Sequence, residues 1–286
     1  MPKLRRGRNR QPVTDIVLDN SIVGQPTDEH VDMSHAMPRD HQGDYGIDGS
    51  FKVISARGQA IGIGVWSAAL AAWSAVSAKR GKPLTAALTG ASSLGIAAST
   101  ALYIYATKAG KFQVWQRILD ELVLQGDETV LDMGCGRGAV LLAAAKRLPE
   151  GKAVGVDLWQ ADQTDNSPEA TLANAEIENV KDRIELHTAD MTALPFGGNS
   201  FDVIVSSLAI HNIPGHAGRR TALNEAMRVL KPGGRLVIAD LWETKQHAEH
   251  LRKQGWQQVA RTSVGWRMWY GGPWISAHLV TATKPR

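Results

Sequence analysis

With one cysteine, Cys135, in 286 residues, the chain can form no internal disulfide, which suits a reducing compartment. No Cys/His cluster stands at metal-ligand spacing, so no metal site is expected. An excess of one charge is also missing. The 32 Lys and Arg against 28 Asp and Glu leave +4, and the basic residues are scattered rather than gathered into a stripe. Nucleic-acid binding therefore gains no support. The basic start (Lys3, Arg5, Arg6, Arg8, Arg10) lacks a closely following apolar core, which argues against a secretory signal. Residues 1–57 read instead as a polar, flexible N-terminal segment. Within it, His41-Gln-Gly-Asp-Tyr-Gly-Ile-Asp48 is more structured in character.

Charge is absent altogether from residues 58–78 and 83–107, which are separated only by Lys79-Arg-Gly-Lys82. About 20 uncharged, mainly apolar residues suffice to cross a bilayer as a helix. Two such runs with a short polar link predict a transmembrane helical hairpin over 58–107. Ala68 with Ala72 and Ala91 with Gly95 would let the helices approach closely, and Tyr103 and Tyr105 fall where interfacial aromatics sit. Both runs are rich in Ala, Gly, Ser and Thr. A helical pair lying on the membrane surface or on the rest of the protein is the alternative.

What the chain does have is the stretch Val130-Leu-Asp-Met-Gly-Cys-Gly-Arg-Gly138, an apolar run ending in an acid followed by three alternating glycines. A helix-forming run, Ala139 to Leu148, follows and stops at Pro149. The pattern predicts a buried strand, a sharp turn and a helix whose N-terminus faces the turn. That is a nucleotide-binding arrangement, because glycine lets the backbone bend tightly and lets a ligand approach it. Ala139 can stand in for the third small residue of the dinucleotide fingerprint, so the turn alone also admits an NAD enzyme. Asp157, which ends the next apolar run, would bond a ribose hydroxyl in either case. Cys135 reads as a small packing residue within the turn rather than a nucleophile.

Beyond the turn, the chain resembles class I S-adenosylmethionine (AdoMet)-dependent methyltransferases over about residues 111–284. The matching pieces are Leu131 to Gly138, Gly155-Val-Asp157, Ala189-Asp190-Met191 with Leu194-Pro-Phe196, Ser200 to Ser206, and Arg228-Val-Leu-Lys-Pro-Gly-Gly234. The resemblance implies a cofactor site containing Asp132, Gly134, Cys135, Gly136, Gly138, Asp157, Leu158, Asp190, Met191 and Ser206. Asp132 would help position the methionine amino group, and Asp157 would take the two ribose hydroxyls. Asp190 would accept from the adenine amino group, with Met191 beside it, and Ser206 would lie near the methionine end. Trp159 could flank the adenine or serve only as packing. Segments ahead of the fold often close over the cofactor in this family, a role open to Tyr45, although a plain linker fits as well.

Periodicity places the remaining elements. Phe112, Trp115, Ile118, Leu119 and Leu122 recur at helical spacing. Ser167-Pro168 reads as a cap and first turn. Strands are expected at 183–188, 201–206 and 235–240. Helices are expected at about 168–179, at about 219–230 ending at Lys231-Pro-Gly-Gly234, and through His247 and Leu251 to Gly255. Gln257–Thr262 and Ser276–Thr283 are β-prone. The sum is an α/β fold: a doubly wound, mostly parallel seven-stranded sheet of Rossmann-like type at residues 111–286, preceded by the two-helix hydrophobic hairpin. His211, just after the fourth strand, is the candidate general base, with His216 a weaker one.

The hairpin, together with Trp266, Trp269, Tyr270 and Trp274 near the C-terminus, favours a small lipophilic acceptor, with the catalytic domain on the cytosolic side of a membrane. The Leu-Pro-Phe and Leu-Lys-Pro-Gly-Gly matches resemble the ubiquinone/menaquinone C-methyltransferase branch. The rivals are a protein or nucleic-acid methyltransferase and a non-catalytic, membrane-anchored AdoMet-binding protein. Ser206-Ser-Leu-Ala stands where an Asn-Pro-Pro-Tyr motif would support amide or adenine methylation. Nothing in the sequence sets the oligomeric state.

Overall fold

A computed structural model describes residues 43–49 and 54–286. The basic N-terminal run and the rest of residues 1–42 and 50–53 lie outside the described residues. The two uncharged runs form α1 (Ala56–Lys79) and α2 (Pro83–Tyr105), packed against each other. Ser55 caps α1 by accepting from the Gly58 N–H, and Pro83 opens α2. Both helices are long and apolar enough to cross a membrane, and their large apolar side chains point outward. Ile61, Trp66, Leu84 and Leu94 are each about two-thirds or more exposed (67%, 69%, 72% and 73%).

The seam between the helices differs from the expected one. Ala68, Ala72, Ala91 and Gly95 all face outward, and a Cβ at Gly95 would meet nothing within 4 Å. Serines make the contact instead. Ser67 and Ser93 hydroxyls reach each other's carbonyls at 3.3 and 2.9 Å, and Ser74 donates to Ala86 O at 2.7 Å beside Gly90. Serine serves both needs of such a seam, being small enough for close approach and able to bond across it.

A π turn, Ala106–Gly110, carries α2 directly into α3 (Lys111–Glu121). The sheet follows: β1 (Thr129–Met133), β2 (Lys152–Asp157), β3 (Ile184–Thr188), β4 (Phe201–Ser207), β5 (Leu230–Asp240), β6 (Gln257–Ser263) and β7 (His278–Thr283). Its order is β3-β2-β1-β4-β5-β7-β6, with β7 alone antiparallel to its neighbours. Along β1 and β4, alternate residues enter opposite cores. Val130, Val203 and Val205 join α3 and α4 (Ala139–Ala145) on one face. Leu131 and Ile204 join α6 (Gly215–Val229) and α7 (Thr244–Lys253) on the other. The chain leaves β1 toward β2 on one side and returns to β4 on the other, so β1 and β4 flank the switch point where such sheets bind ligands.

Two boundaries move from expectation. Helix α6 starts one turn before Arg219, because Pro214 in extended geometry launches it at once. At the other end α6 stops at Val229, next to the expected Leu230, but β5 begins at once and Lys231-Pro-Gly-Gly234 bulges within it, between the Phe201–Leu230 and Val203–Arg235 pairs. Gly233, at φ +77°, turns its N–H to Lys284 O, which stitches the bulge to the chain end.

The C-terminal aromatics dock on the foot of the hairpin. Trp266 stacks on Tyr105 (5.0 Å, 19°), Tyr270 meets Tyr103 edge-on, and Ser99 donates to Gly271 O. Trp274 stays 75% exposed. The approach is closest at Gly110, where an added Cβ would lie 1.8 Å from Arg267 O. Gly110→Ala should therefore push this loop off the hairpin and cost about 1–3 kcal/mol. Gly95→Ala should be neutral or stabilising. Thermal unfolding of the two variants checks the contrast.

Candidate active site

The glycine turn is built as the spacing required. Gly134, Gly136 and Gly138 have φ of +79°, +50° and +89°, a region that disfavours side chains. The N–H groups of Gly134 and Cys135 donate to Val156 O, which pins the turn to β2. Thr171 and Asn174, on α5 (Pro168–Ile177), donate to Gly136 O and Arg137 O. Cys135 is buried, and burial pushes its thiol well above the usual range. Its sulfur lies 2.8 Å from where a Gly155 Cβ would be, so it is a packing group.

Asp157 ends β2 inside the site, but its oxygens are already engaged. One accepts from the Gly136 N–H at 2.8 Å, the other from the Trp159 N–H at 2.6 Å, with Asn166 nearby at 3.4 Å. These bonds brace the turn and leave each oxygen further acceptor capacity. Burial raises its pKa even so.

The space over the turn is filled by two segments. Gln163, in the loop after β2, accepts from the Arg137 N–H, and its Oε1 lies 2.5 Å from where a Gly136 Cβ would stand. Its Nε2 donates to Tyr45 O and Asp48 Oδ1 in the strap formed by residues 43–49. Tyr45 does not cover the turn. Its hydroxyl donates to Glu178, and its ring packs on Phe112. Asp48 is the strap's anchor. It pairs with buried Lys111 at 2.6 Å, accepts from Thr107 and Tyr270, and receives Tyr103 on its carbonyl. A ligand lying along the turn must displace Gln163.

Asp132, at the end portion of β1, is buried, and among the described residues neither carboxylate oxygen has a hydrogen-bond partner of ordinary geometry, although the Leu141 N–H is close enough to favour its charge. Burial and the neighbouring Asp157 charge push its pKa up to about 8. This acid, beside a turn whose glycine positions leave no room for a Cβ, fits a ligand bringing a cation. On the opposite wall, Met191 Sδ and Ala209 crowd Gly134, at 3.6 and 2.2 Å from a Cβ placed there. Asp190 is exposed and accepts from the Thr192 N–H, and Leu158 is 45% exposed. Trp159 donates to Thr188. Ser206 is buried, with its hydroxyl committed to Met133 O between β4 and β1.

His211 lies in the short turn Ile210–Asn212 after β4, and its Nδ1 stands 2.5 Å from Asp240 Oδ1. Asp240 is wholly buried at the end of β5. His216 is mostly exposed and pairs with Glu243 instead. Sequence reasoning missed Gln163 and Asp240. The second was findable, since it closes an apolar strand as Asp132 and Asp157 do.

Residues 131–238 match the methyltransferase domain family. The matched stretch runs from β1 into β5 and includes the glycine turn, Asp132 and Asp157. The chain is 34% identical over 152 residues to a demethylmenaquinone methyltransferase of Lactiplantibacillus plantarum, covering 52% of this chain and 59% of that one. It is 36% identical over 132 residues to a ubiquinone/menaquinone biosynthesis C-methyltransferase of Dinoroseobacter shibae, covering 46% and 50%. The chain thus spans about half the length of the curated relatives it matches. Among solved structures, an AdoMet-dependent methyltransferase from Aquifex aeolicus superposes with a TM-score of 0.48 at 20% identity, covering 59% of this chain and 88% of that one.

The raised pKa of Asp132 has a measurable sign. The folded protein holds a proton there up to about pH 8, whereas the unfolded chain releases it near the ordinary aspartate value of 3.8. Stability contributed by this group is complete below about pH 4 and falls as pH rises toward 8. Asp132→Asn should flatten that part of the stability–pH curve, as read by thermal unfolding across the range.

Proposed function

We propose that this protein transfers the methyl group of AdoMet to a small lipophilic acceptor at the cytosolic face of a membrane. The observation that carries the reading is Asp132, a buried acid beside the glycine turn with no charged partner and no hydrogen bond of ordinary geometry among the described residues. A dinucleotide would bring an anionic pyrophosphate to the turn, which offers that acid no cationic partner. AdoMet brings an ammonium group, which supplies the missing partner.

Bound AdoMet provides an electrophilic methyl on a sulfonium. The chain's own groups hold and orient it. The backbone of Gly134 to Gly138 flanks the amino-acid arm with Ser206 near it, and Asp132 takes the ammonium. Asp157 exchanges backbone donors for ribose hydroxyls once Gln163 withdraws, and Leu158, Asp190 and Met191 flank the sugar and adenine. Holding donor and acceptor in line supplies much of the rate in such a displacement. His211, at the end of β4, takes the proton of an acceptor that must lose one.

A lipophilic acceptor is supported by two features. The relatives named above carry quinone-type substrates in their names. The hairpin turns its large apolar side chains outward. At about 1.5 Å per residue, its helices of 24 and 23 residues match the roughly 30 Å hydrocarbon layer. AdoMet is made in the cytosol, so the sheet domain faces the cytosol and the basic link Lys79 to Lys82 lies across the membrane.

Calorimetry on the full chain in nanodiscs should show saturable AdoMet binding. No saturable binding overturns the reading. Near pH 7 the ammonium should drive Asp132 to release up to about one proton, seen as a dependence of the binding heat on buffer ionisation enthalpy and lost in Asp132→Asn. Labelled AdoMet incubated with membrane extract should label a lipid-phase aromatic. The hairpin should resist alkaline carbonate extraction; release of the protein would remove the spanning arrangement.

A further inference from the structure

Asp240 grips a single residue twice. Its Oδ1 lies 2.5 Å from His211 Nδ1, and its Oδ2 accepts from the His211 backbone N–H at 3.1 Å. The Leu241 N–H also donates to Oδ1. The carboxylate is completely buried, so no water competes for it from outside. A carboxylate only accepts, so Nδ1 must carry the proton, and the neutral ring then presents a lone pair at Nε2. Nε2 has no hydrogen-bond partner among the described residues, and the side chain keeps 12% exposure. Trp242 closes one side edge-on at 5.0 Å. Arg219, paired with Glu243, clamps the turn by donating to His211 O at 2.9 Å.

We propose that Asp240 is a positioning residue. It fixes His211 as the Nδ1–H tautomer with Nε2 free to take a proton from a hydroxylated aromatic acceptor. The inference rests on the methyl-transfer reading above. In the step, the acceptor O–H bond breaks as Nε2–H forms, leaving an imidazolium paired with Asp240. The electron pair left on the acceptor, on oxygen or delocalised to a ring carbon, forms the bond to the methyl carbon. The methyl–sulfur bond breaks, and sulfur keeps its pair as a neutral thioether. A methylated ring carbon passes its own proton to the oxygen, and the imidazolium returns its proton to solvent. The sulfonium's positive charge thus leaves as one proton.

Other charges also face the ring's surroundings. Asp162, in the loop after β2, accepts from Asn212 at 3.0 Å, and the His211 charge acts on it. Asp162 and Asp240 favour the imidazolium; Arg219 opposes it but is balanced by Glu243.

The test is long-range ¹⁵N NMR of the His211 imidazole in the full chain in nanodiscs. Wild type should show the Nδ1-protonated tautomer; an Nε2-protonated ring overturns the proposal whether or not any variant folds. Asp240→Asn should erase the tautomer bias. With a demethylated menaquinol in vesicles as probe acceptor, Asp240→Asn should cut kcat by roughly 10²–10⁴-fold at unchanged AdoMet KM. It should cost nothing further in a His211→Gln background. An unchanged ring and kcat, or losses that multiply in the double variant, would mean that Asp240 only supports the turn. Absence of AdoMet binding in wild type would instead sink the methyl-transfer reading, while the ring measurement still decides the pairing.

Discussion

Three carboxylates lie buried at or just before the carboxyl ends of three parallel strands, and the site is organised by how each is compensated. Asp132, Asp157 and Asp240 belong to β1, β2 and β5, along the edge where a doubly wound sheet receives ligands. Taking a carboxylate out of water is costly unless it is hydrogen-bonded, paired or protonated. Each of the three follows a different route. Asp157 is bonded by the glycine turn and the Trp159 N–H. Asp240 is bonded by a histidine and two backbone N–H groups. Asp132 has no hydrogen-bond partner of ordinary geometry among the described residues, and burial raises its pKa. The unpaired acid marks where a cation belongs, and the paired ones fix the turn and the candidate base around it.

The same edge is linked to the hairpin. Asp48 joins the strap to Thr107 in the π turn, Lys111 at the head of α3, Tyr270 in the C-terminal loop and Gln163 over the glycine turn. The side chain that fills the space beside Gly136 is therefore two hydrogen bonds from the foot of α2. Breaking a buried pair by removing one partner leaves an uncompensated charge, so these contacts hold together better than single surface bonds do. In this structure the apolar hairpin and the cradle share one set of polar contacts.

Much of the fold was legible because period and punctuation act locally. Alternating apolar residues in β1 and β4, the glycines at 134, 136 and 138, and the Ser167-Pro168 cap each depend on neighbours in sequence. The elements formed where those signals stood. Misreadings came where distant partners decide. Lys231-Pro-Gly-Gly234 looks like a helix stop, yet β4 and Lys284 draw it into a strand bulge. The alanine and glycine spacings in the hairpin look like a seam, yet serines that can bond across it won the interface. In the site, Asp132 and Asp157 were found because acids at strand ends stand out. Gln163 was not, since a glutamine in a loop carries no pattern.

By itself the sequence determined the kind of molecule: an uncharged helical pair, then strands and helices in alternation around a turn that only glycine fills comfortably. Backbone geometry and apolar periodicity suffice for that, because both act between near neighbours. Tertiary structure alone decided which polar groups answer which. It turned Asp157 onto the turn, joined His211 to Asp240 across 29 residues, and set Gln163 against Gly136. Hydrogen bonds depend on distance in space, and the distances that matter here are closed only when the sheet brings its strand ends together.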